Sequence, residues 1–393
     1  MVNPGGALPH ITFVIHDMEG GVASMNHQII ENADFGRHFR VRVILWRSLE
    51  LAVKPFREPF KNATDTEHFE FSKFDNYSLT LKRFNALLNK WPGLLVTNDG
   101  IELEAIRKFG TRSVLFSIVH DFYNFKLAIE NADLVDYFIC HTEVFSKALL
   151  SDPSLNQRVK YLLHGVKVIG RKPGSKEDHN RKLGIVSISR LTAAKGVLSF
   201  FDIDELLIRK GIEVEWIVVG SGDAEMELKQ QWKDKKNIGF YKPDSHEKVV
   251  EIAAAGDIFI SPSNFEGYGI ALLEAMSCGL VPIIHQLPVG VYSDLPEDTG
   301  FSLTRGDTGA FADCIARLDK DRDLLAQMAK KANQLVVDKY DISKTADRYL
   351  QCFRTYSLAQ IDRKLQPRQT LKLGIADKAF VPNYLTRIVK KFK

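Results

Sequence analysis

The feature that most restricts the fold of this chain is an alternation of short β-branched runs with segments of helical periodicity, which occurs twice along the sequence. This alternation is typical of parallel sheets that carry helices on both faces. The first series predicts strands near residues 10–17, 40–46, 93–99, 113–120 and 135–142. The second series predicts strands near residues 184–190, 214–220, 237–242, 257–263 and 281–286. A polar stretch rich in Gly, Pro and Lys separates the two series, so we predict two doubly wound domains with a boundary near 165–182.

The composition is that of a globular protein without a membrane span. The 393 residues exceed what one hydrophobic core usually supports, and no apolar run reaches the roughly 18 to 20 residues that a span needs. The first apolar run follows no basic segment, so we expect a first strand and a cytoplasmic protein. The net charge of +4 is too small to predict nucleic-acid binding. The four cysteines lie far apart in sequence, which predicts buried, reduced thiols rather than a zinc site or disulfides.

The most informative local pattern is the segment NFEGYGIALLEAMSCGLVPI, which follows the predicted strand DIFIS. It places Glu266 in a loop and Glu274 about one turn into the next helix. Gly267 and Gly269 let the backbone approach a ligand closely, and free N–H groups at the helix start can bind a diphosphate. A carboxylate on either side can accept hydrogen bonds from sugar hydroxyls. A loop acid and a helix-surface acid without a ligand are the alternative interpretation.

Two further segments place cations or glycines at strand ends. In SRLTAAKG, Arg190 ends a strand and Lys195 opens the next helix. Two cations placed there can stabilise the charge on a departing nucleoside diphosphate, as a metal ion otherwise does. In VGSGD, Gly220 and Gly222 form a turn between a strand and a helix, which suits close approach to a nucleotide. Solvated surface charges and a plain turn are the alternative interpretations.

Together and in this order, the three segments resemble family 4 of the retaining glycosyltransferases, within the glycosyl transferases group 1. The resemblance implies an α/β protein of the GT-B fold, with two Rossmann-like doubly wound domains facing across a cleft and a C-terminal helix that crosses back to the first domain. Residues 1–168 would form the acceptor-binding domain and 169–345 the domain that binds the nucleotide-sugar donor. Residues 346–393 would form the crossover helix and a basic amphipathic tail.

The resemblance also implies roles for individual residues of the second domain. Arg190 and Lys195 would hold the donor diphosphate. Glu274 would bind the ribose hydroxyls, and Glu266 would act on the transferred sugar. The backbone that completes the donor site would come from Gly267, Tyr268, Gly269 and Ile270.

In the first domain, the resemblance singles out one loop and one histidine. The segment EGGVASMN places Gly20 and Gly21 where members of the family bring a glycine-rich loop near the diphosphate, and a tight turn is the alternative. His120 matches a histidine that the family often has close to the reacting sugar, and a structural histidine is the alternative. Four more polar residues end strands and are acceptor-side candidates, with a structural role favoured: His16, Asp17, Asn98 and Asp99.

One competing pattern concerns metal binding. Asp202-Ile203-Asp204 matches the DxD pattern with which another glycosyltransferase fold binds a divalent metal. Here it lies in the helical stretch KGVLSFFDIDELLIRK, so we interpret it as helix surface and expect no metal and no other cofactor. The chain also lacks the GxSxG and P-loop sequences of serine hydrolases and P-loop NTPases.

From Ser357 onward the alternation stops, and the last segment, DKAFVPNYLTRIVKKFK, predicts an amphipathic helix. Its apolar face would comprise Leu385, Ile388, Val389 and Phe392, and its basic residues are Arg387, Lys390, Lys391 and Lys393. Such a helix can bind an anionic membrane surface through residues 383–393, and packing on the protein is the alternative. We therefore expect a peripheral protein on the inner face of the cell membrane.

The resemblance implies a retaining enzyme, and the two cations predict that it needs no metal. It would transfer a sugar from a nucleotide diphosphate sugar, UDP preferred over GDP, to a glycan or lipid-linked acceptor in bacterial surface polysaccharide biosynthesis. A non-catalytic nucleotide-sugar-binding or membrane scaffold subunit is the alternative. A nucleotide-sugar epimerase or a phosphorylase of the same architecture needs acid/base carboxylates or a pyridoxal phosphate lysine, and the sequence identifies neither.

Overall fold

The computed structural model describes residues 8–51, 54–169 and 181–356, together with residues 383, 386, 387 and 390. The chain divides into two compact units. The first comprises Met1–His164 and Thr345–Lys393, and the second comprises Gly165–Lys344.

The first unit contains a seven-stranded, entirely parallel sheet. Its strands are β1 (His10–His16), β2 (Arg40–Ser48), β3 (Asp65–Phe71), β4 (Leu94–Thr97), β5 (Val114–Val119), β6 (Tyr137–Cys140) and β7 (Val159–Tyr161). They lie in the order β3-β2-β1-β4-β5-β6-β7. The central strand β1 is apolar on both faces and almost wholly buried, because helices cover a parallel sheet on both sides.

The helices of this unit follow the strands, and polar side chains start most of them. They are α1 (Gly21–Asn32), α2 (Tyr77–Leu88), α3 (Gly100–Phe109), α4 (Phe122–Glu130) and α5 (Glu143–Leu150). The N-terminal N–H groups of α2 to α5 donate to the side chains of Asn76, Asp99, Asp121 and Thr142. Several polar residues at strand ends therefore have a structural role as helix caps.

The second unit contains a six-stranded parallel sheet in the order β10-β9-β8-β11-β12-β13. Its strands are β8 (Leu183–Ile188), β9 (Val214–Val219), β10 (Ile238–Tyr241), β11 (Ile258–Ser261), β12 (Val281–His285) and β13 (Phe301–Leu303). Its helices are α6 (Ser199–Arg209), α7 (Glu225–Gln231), α8 (His246–Ala253), α9 (Ile270–Ser277), α10 (Thr308–Lys320) and α11 (Arg322–Lys339). Apolar side chains of β8, β9, β11, β12, α6, α7, α10 and α11 form one continuous core.

The DxD-like pattern lies in α6, as predicted, but the interpretation of both acids as helix surface was wrong. Asp202 is exposed, whereas Asp204 is only 1% exposed. Asp204 accepts hydrogen bonds from Nε1 of Trp216 at 2.8 Å and Nδ2 of Asn237 at 2.9 Å, and it pairs with Lys235. The Asp204 carboxylate is thus a buried hub, meaning that it bonds three side chains from other segments. A helical periodicity alone does not reveal such contacts.

Helix α12 (Ile342–Tyr356) crosses from the second unit to the first, as predicted for the C-terminal helix. Phe353 inserts between Phe13 and Phe116, with ring centroids 5.8 and 5.1 Å away. The hydroxyl of Tyr349 lies 2.8 Å from Nδ1 of His141. The body of the helix is therefore part of the core of the first unit.

Four residues of the tail are described, and their polar side chains contact Asp75 and Asn76, which precede α2. Arg387 donates from Nε to Oδ1 of Asp75 at 2.6 Å, and Nζ of Lys390 donates to the Asp75 carbonyl at 2.9 Å. Asn383 donates to the same carboxylate at 3.2 Å, and Thr386 is fully buried. The four predicted apolar residues, Lys391 and Lys393 lie outside the described residues. These contacts agree with the alternative to membrane binding, in which the tail packs on the protein.

Two further expectations concern thiols and membrane spans. Cys140 and Cys278 are buried free thiols, as predicted, but Cys314 and Cys352 are partly exposed. In the described parts of the chain, no helix combines the length and apolar character required to cross a bilayer.

Candidate functional site

The loop between β11 and α9 brings two of the predicted site residues together. Oε2 of Glu266 lies 2.7 Å from Nζ of Lys195, and both side chains are less than one-fifth exposed. The same Nζ donates to the carbonyl of Phe265 at 3.2 Å. Lys195, which is predicted to bind the diphosphate, and Glu266, which is predicted to bind the sugar, thus form an ion pair with each other in this structure.

Lys195 reaches this loop from a tight turn and not from the start of an α-helix, so that part of the prediction was wrong. It ends a three-residue 3-10 helix, Ala193–Lys195, and α6 begins only at Ser199. Gly196 interrupts the helix with φ +69°, and a Cβ there would lie 2.1 Å from the carbonyl oxygen of Pro262. Because only glycine fits so close to this backbone, the turn can dock on the loop and aim Lys195 at Glu266.

Arg190 lies two residues beyond the end of β8 and is exposed. Within the described ranges, its guanidinium forms no ion pair. The structure therefore does not bring Arg190 into the Lys195–Glu266 pair, and its charge is left for another partner.

The glycines of the VGSGD turn are required by contacts between two loops. A Cβ at Gly220 would lie 1.9 Å from the carbonyl oxygen of Ser189, and one at Gly222 would lie 2.2 Å from that of Leu191. The N–H of Leu191 donates to the Ser221 carbonyl at 2.9 Å. These glycines therefore hold the loop after β9 against the loop that carries Arg190, and their role at a ligand stays a prediction.

Val291 and Tyr292, which the sequence did not single out, support the turn that precedes α9. Gly269, with φ +103°, starts α9, and a Cβ there would lie 2.9 Å from the ring of Tyr292. The hydroxyl of Tyr292 donates to Oγ of Ser261 at 3.0 Å, and the N–H of Val291 donates to the Tyr268 carbonyl at 2.9 Å. Burial, with the nearby Glu266 carboxylate, raises the pKa of Tyr292 well above its ordinary value, so its ring supports the turn as a neutral phenol.

The residues of this turn differ in what they present. Tyr268 is buried, Gly267 is partly exposed, and Ile270 is the first residue of α9. No side chain caps this helix, because Gly269 occupies the capping position. The first backbone N–H groups of α9 are therefore available to an external acceptor such as a phosphate oxygen.

Glu274 projects from the second turn of α9 and is only 6% exposed. Its Oε1 has no hydrogen bond to any described residue. Nε2 of His246 lies 3.2 Å from Oε1, and the two groups form an ion pair when the imidazole is protonated. A buried carboxylate oxygen without a hydrogen bond costs about 1 to 3 kcal/mol, so the site favours a ligand that donates one.

His246 was missed by sequence reasoning. It is the first residue of α8, which begins after the loop that follows β10, and Ser245 caps that helix. In the sequence it resembles any histidine at the start of a helix, because the contact with Glu274 joins residues 28 positions apart. Only the packing of α8 beside α9 reveals the pair.

In the first unit, Gly20 and Gly21 lie at the start of α1, as predicted. Gly20 has an extended backbone that any residue can adopt, and a Cβ there would meet no atom within 4 Å. The local conformation thus gives no reason for glycine at position 20. The open space is compatible with the predicted approach of a ligand.

His120 is 7% exposed and lies at the end of β5. Its Nε2 is 2.8 Å from Oδ1 of Asn98, which also accepts a hydrogen bond from Nδ2 of Asn26 at 2.9 Å. Burial, assisted by the neighbouring His141, lowers the pKa of His120 well below its ordinary value. His120 is therefore neutral at pH 7 and can act as a hydrogen-bonding group but not as a cation.

The other acceptor-side candidates have structural contacts. Asp17 accepts a hydrogen bond from the N–H of Phe56 at 2.9 Å, and Asp99 caps α3 at Gly100. His16 stacks on Trp46 with ring centroids 4.2 Å apart. Among the residues that the structure describes, no group of three or more His, Cys, Asp or Glu side chains is arranged to hold a metal ion.

Comparison with known proteins bears on this geometry. Residues 171–335 match the family described as "Glycosyl transferases group 1". This segment, which is less than half of the chain, is similar to members of that family. The match covers the Lys195 turn, the Gly220 loop and the segment from Glu266 to Glu274, so the predicted resemblance is confirmed at the level of group 1.

Curated relatives of this chain include two bacterial proteins. The α-D-kanosaminyltransferase of Streptomyces kanamyceticus is 29% identical over 182 residues, which are 44% of this chain and 46% of the relative. The putative colanic acid biosynthesis glycosyltransferase WcaL of Escherichia coli K12 is 30% identical over 167 residues, or 39% and 40% of the two chains. The chain thus spans less than half the length of these relatives.

Structural comparison extends beyond residues 171–335. The crystal structure of Anabaena Alr3699/HepE in complex with UDP and glucose superposes with a TM-score of 0.71 and covers 88% of this chain and all of that chain. The sequence identity is 18%, so this likeness concerns the fold. It confirms the predicted class of two Rossmann-like units, GT-B.

Proposed function

We propose that the protein is a glycosyltransferase whose second unit binds a nucleoside diphosphate sugar. The observation that carries this proposal is the turn before α9, which has the Lys195–Glu266 pair on one side and the buried, incompletely hydrogen-bonded Glu274 on the other. A diphosphate is a ligand for Lys195 and for the free N–H groups of α9, and ribose hydroxyls can donate to Glu274. A nucleoside diphosphate combines both groups in one molecule.

The proposed reaction uses these charges at the leaving group. As the bond between sugar and diphosphate breaks, negative charge builds on the diphosphate, and Lys195 and Arg190 stabilise it. Two fixed cations supply the charge that a metal ion provides elsewhere, so we propose a metal-independent reaction. Glu266 then orients the sugar, and neutral His120 of the first unit donates or accepts one hydrogen bond near the reacting centre.

We further propose transfer with retention of configuration, as in family 4. The leaving phosphate would take the proton of the acceptor hydroxyl while that hydroxyl attacks the same face of the sugar. Water would compete with the acceptor, so the first unit would bind the acceptor and help to exclude water. The anomeric configuration of the product, measured by proton NMR immediately after transfer, tests retention.

The substrates are proposed from the relatives. HepE from Anabaena was crystallised with UDP and glucose, which supports UDP over GDP as the nucleotide. The colanic acid protein WcaL supports a glycan or lipid-linked acceptor in bacterial surface polysaccharide synthesis.

We propose a cytoplasmic location, peripheral to the inner face of the membrane. A chain that ends at residue 382 should then lose binding to anionic vesicles, whereas unchanged binding would contradict a membrane role of residues 383–393.

The decisive first experiment is thermal stabilisation by UDP, GDP, ADP and their sugars in the presence of EDTA. We expect a selective shift with UDP and UDP-sugars that survives EDTA and is lost in Glu274→Ala. Ligand that binds only the folded state at 100 times its Kd stabilises it by about 2.7 kcal/mol, which a melting curve resolves. The absence of any shift in folded protein would contradict the proposal.

The alternative is a subunit that binds nucleotide sugar without turning it over. Slow hydrolysis of the bound donor without acceptor distinguishes the two, because a pure binder should show none. In the enzyme, Lys195→Ala should reduce hydrolysis more than it reduces ground-state binding, since the charge that Lys195 meets develops in the transition state. Equal hydrolysis by wild type and Lys195→Ala would remove the catalytic role of Lys195.

A further inference from the structure

The contact between His246 and Glu274 links two helices of the second unit. The side chain of His246, the first residue of α8, is 32% exposed, whereas the side chain of Glu274, inside α9, is 8% exposed. The two helices pack together, and Sγ of Cys278 near the end of α9 contacts the carbonyl oxygen of Val250 on α8 at 3.9 Å. The imidazole is thus held on one helix while it faces a carboxylate of the other.

The geometry at the carboxylate is specific. Nε2 of His246 lies 3.2 Å from Oε1 of Glu274, at ion-pair distance. Yet this oxygen has no hydrogen bond within the described ranges. The contact therefore restrains the carboxylate without using the lone pairs of Oε1, which stay available to donors that arrive with a ligand.

This arrangement matters for a ligand with two adjacent hydroxyls. A carboxylate can accept from both hydroxyls of a ribose only if its plane is fixed relative to them, and a glutamate side chain is otherwise free to rotate about its terminal bond. A neighbouring imidazole supplies that restraint, because rotation of the carboxylate would remove Oε1 from it.

We propose that His246 is a positioning residue, which fixes Glu274 so that the protein selects ribonucleotide over 2′-deoxyribonucleotide donors. This inference rests on the proposed function, since it assumes that Glu274 binds the ribose. It assigns His246 no contact with the reacting atoms. Its effect should be confined to recognition of the sugar hydroxyls and should not extend to the diphosphate.

The test compares UDP with 2′-deoxy-UDP by calorimetry in wild type, His246→Leu, His246→Gln and Glu274→Gln. A hydrogen bond to a charged group is worth about 1.5 to 3 kcal/mol, so the wild type should prefer UDP by about tenfold or more. His246→Leu should reduce this preference to less than about threefold, mainly through weaker binding of UDP. His246→Gln should restore most of it, because its polar side chain can occupy a similar position beside Oε1.

Two controls separate this role from a structural one. Glu247→Gln changes the exposed neighbour on the same helix and should leave the preference unchanged. In Glu274→Gln/His246→Leu, the preference should fall no further than in Glu274→Gln alone, because the histidine acts through the glutamate.

Three results would overturn the inference. Equal weakening of both nucleotides in His246→Leu would show that His246 contacts the base or the diphosphate. A preference that is unchanged in a folded His246→Leu would show that Glu274 needs no positioning. If the wild type binds UDP and His246→Leu gives either of these two results, only the inference about His246 is lost. If the wild type binds no UDP, the proposed function fails with it.

Discussion

At the residue scale, the ion pair between Lys195 and Glu266 sets up a competition. Lys195 can neutralise either the Glu266 carboxylate or a diphosphate, and the pair is mostly shielded from solvent. A diphosphate that binds Lys195 must therefore compete with Glu266 for the same ammonium group. This competition would release Glu266 toward the sugar only when a donor is present.

The competition leads to a prediction for Glu266→Gln. Loss of the competing charge should strengthen binding of UDP about three- to tenfold, the size of a partly exposed ion pair, although turnover falls because the sugar loses its carboxylate. Calorimetry with UDP measures the first effect. Lys195→Ala should weaken UDP and should abolish the gain in the double variant, and weaker UDP binding in Glu266→Gln alone would contradict the argument.

The two acids of the DxD-like pattern allow a buried and an exposed aspartate of the same helix to be compared for their effect on the free energy of unfolding. Asp204→Ala removes the acceptor of a buried indole N–H and the partner of Lys235, so we expect a loss of about 2 to 5 kcal/mol in the free energy of unfolding. Exposed Asp202→Ala should change it by less than about 0.5 kcal/mol. Urea denaturation of both variants measures the difference, and similar losses would refute the hub role of Asp204.

At the element scale, the sequence predicted all central strands and one edge strand, β10, but missed the other three edge strands. All ten predicted strands are present, whereas β3, β7 and β13 were missed, and each is an edge strand. The sequence of β3, DTEHFEF, exposes charged residues, and the other two strands have only three residues each. Edge strands are exposed along one side and need little apolar sequence, so the hydrophobic pattern that marks central strands is absent.

The candidate site was predictable to a similar degree. The motifs identified Lys195, Glu266 and Glu274 because glycines and strand ends accompany them in the sequence. The supports of these residues, His246 and Tyr292, come from other segments and carry no local signature. Contacts between distant segments depend on how helices and loops pack, which periodicity and turn chemistry do not encode.

The docked turn that carries Lys195 gives a prediction with a built-in control. Gly196 and Gly211 share nearly the same backbone, with φ +69° and +73°, but only Gly196 faces a carbonyl oxygen closer than 3 Å. Gly211→Ala should cost about 1 kcal/mol from its left-handed backbone. Gly196→Ala should cost clearly more and should also weaken UDP, because the turn must move away from the loop. Equal melting temperatures of the two variants would show that the turn is not docked as described.

At the scale of the whole molecule, ionisable groups are distributed unevenly between the two units. Three buried histidines lie together in the first unit: His120, His141 and His164. Burial lowers the pKa of all three, and that of His141 falls to about 4. In the second unit, burial lowers the pKa of one further buried histidine, His285.

This distribution predicts that acid destabilises the first unit before the second. Above pH 6.5 the three histidines are neutral in both the folded and the unfolded chain, so they add no pH dependence. Below pH 6.5 the unfolded chain binds protons that the folded unit does not, and stability falls by about 1.4 kcal/mol per pH unit for each histidine. The fall continues as the pH drops toward the lowered pKa values.

Hydrogen exchange at pH 7.5, 6.0 and 5.0, corrected for intrinsic rates, should show loss of protection in β1, β4 and β5 while β8 and β11 stay protected. His164→Leu should reduce the pH dependence of the first unit by about one third, since one of three groups no longer titrates. Earlier loss of protection in the second unit would contradict this account of the acid response.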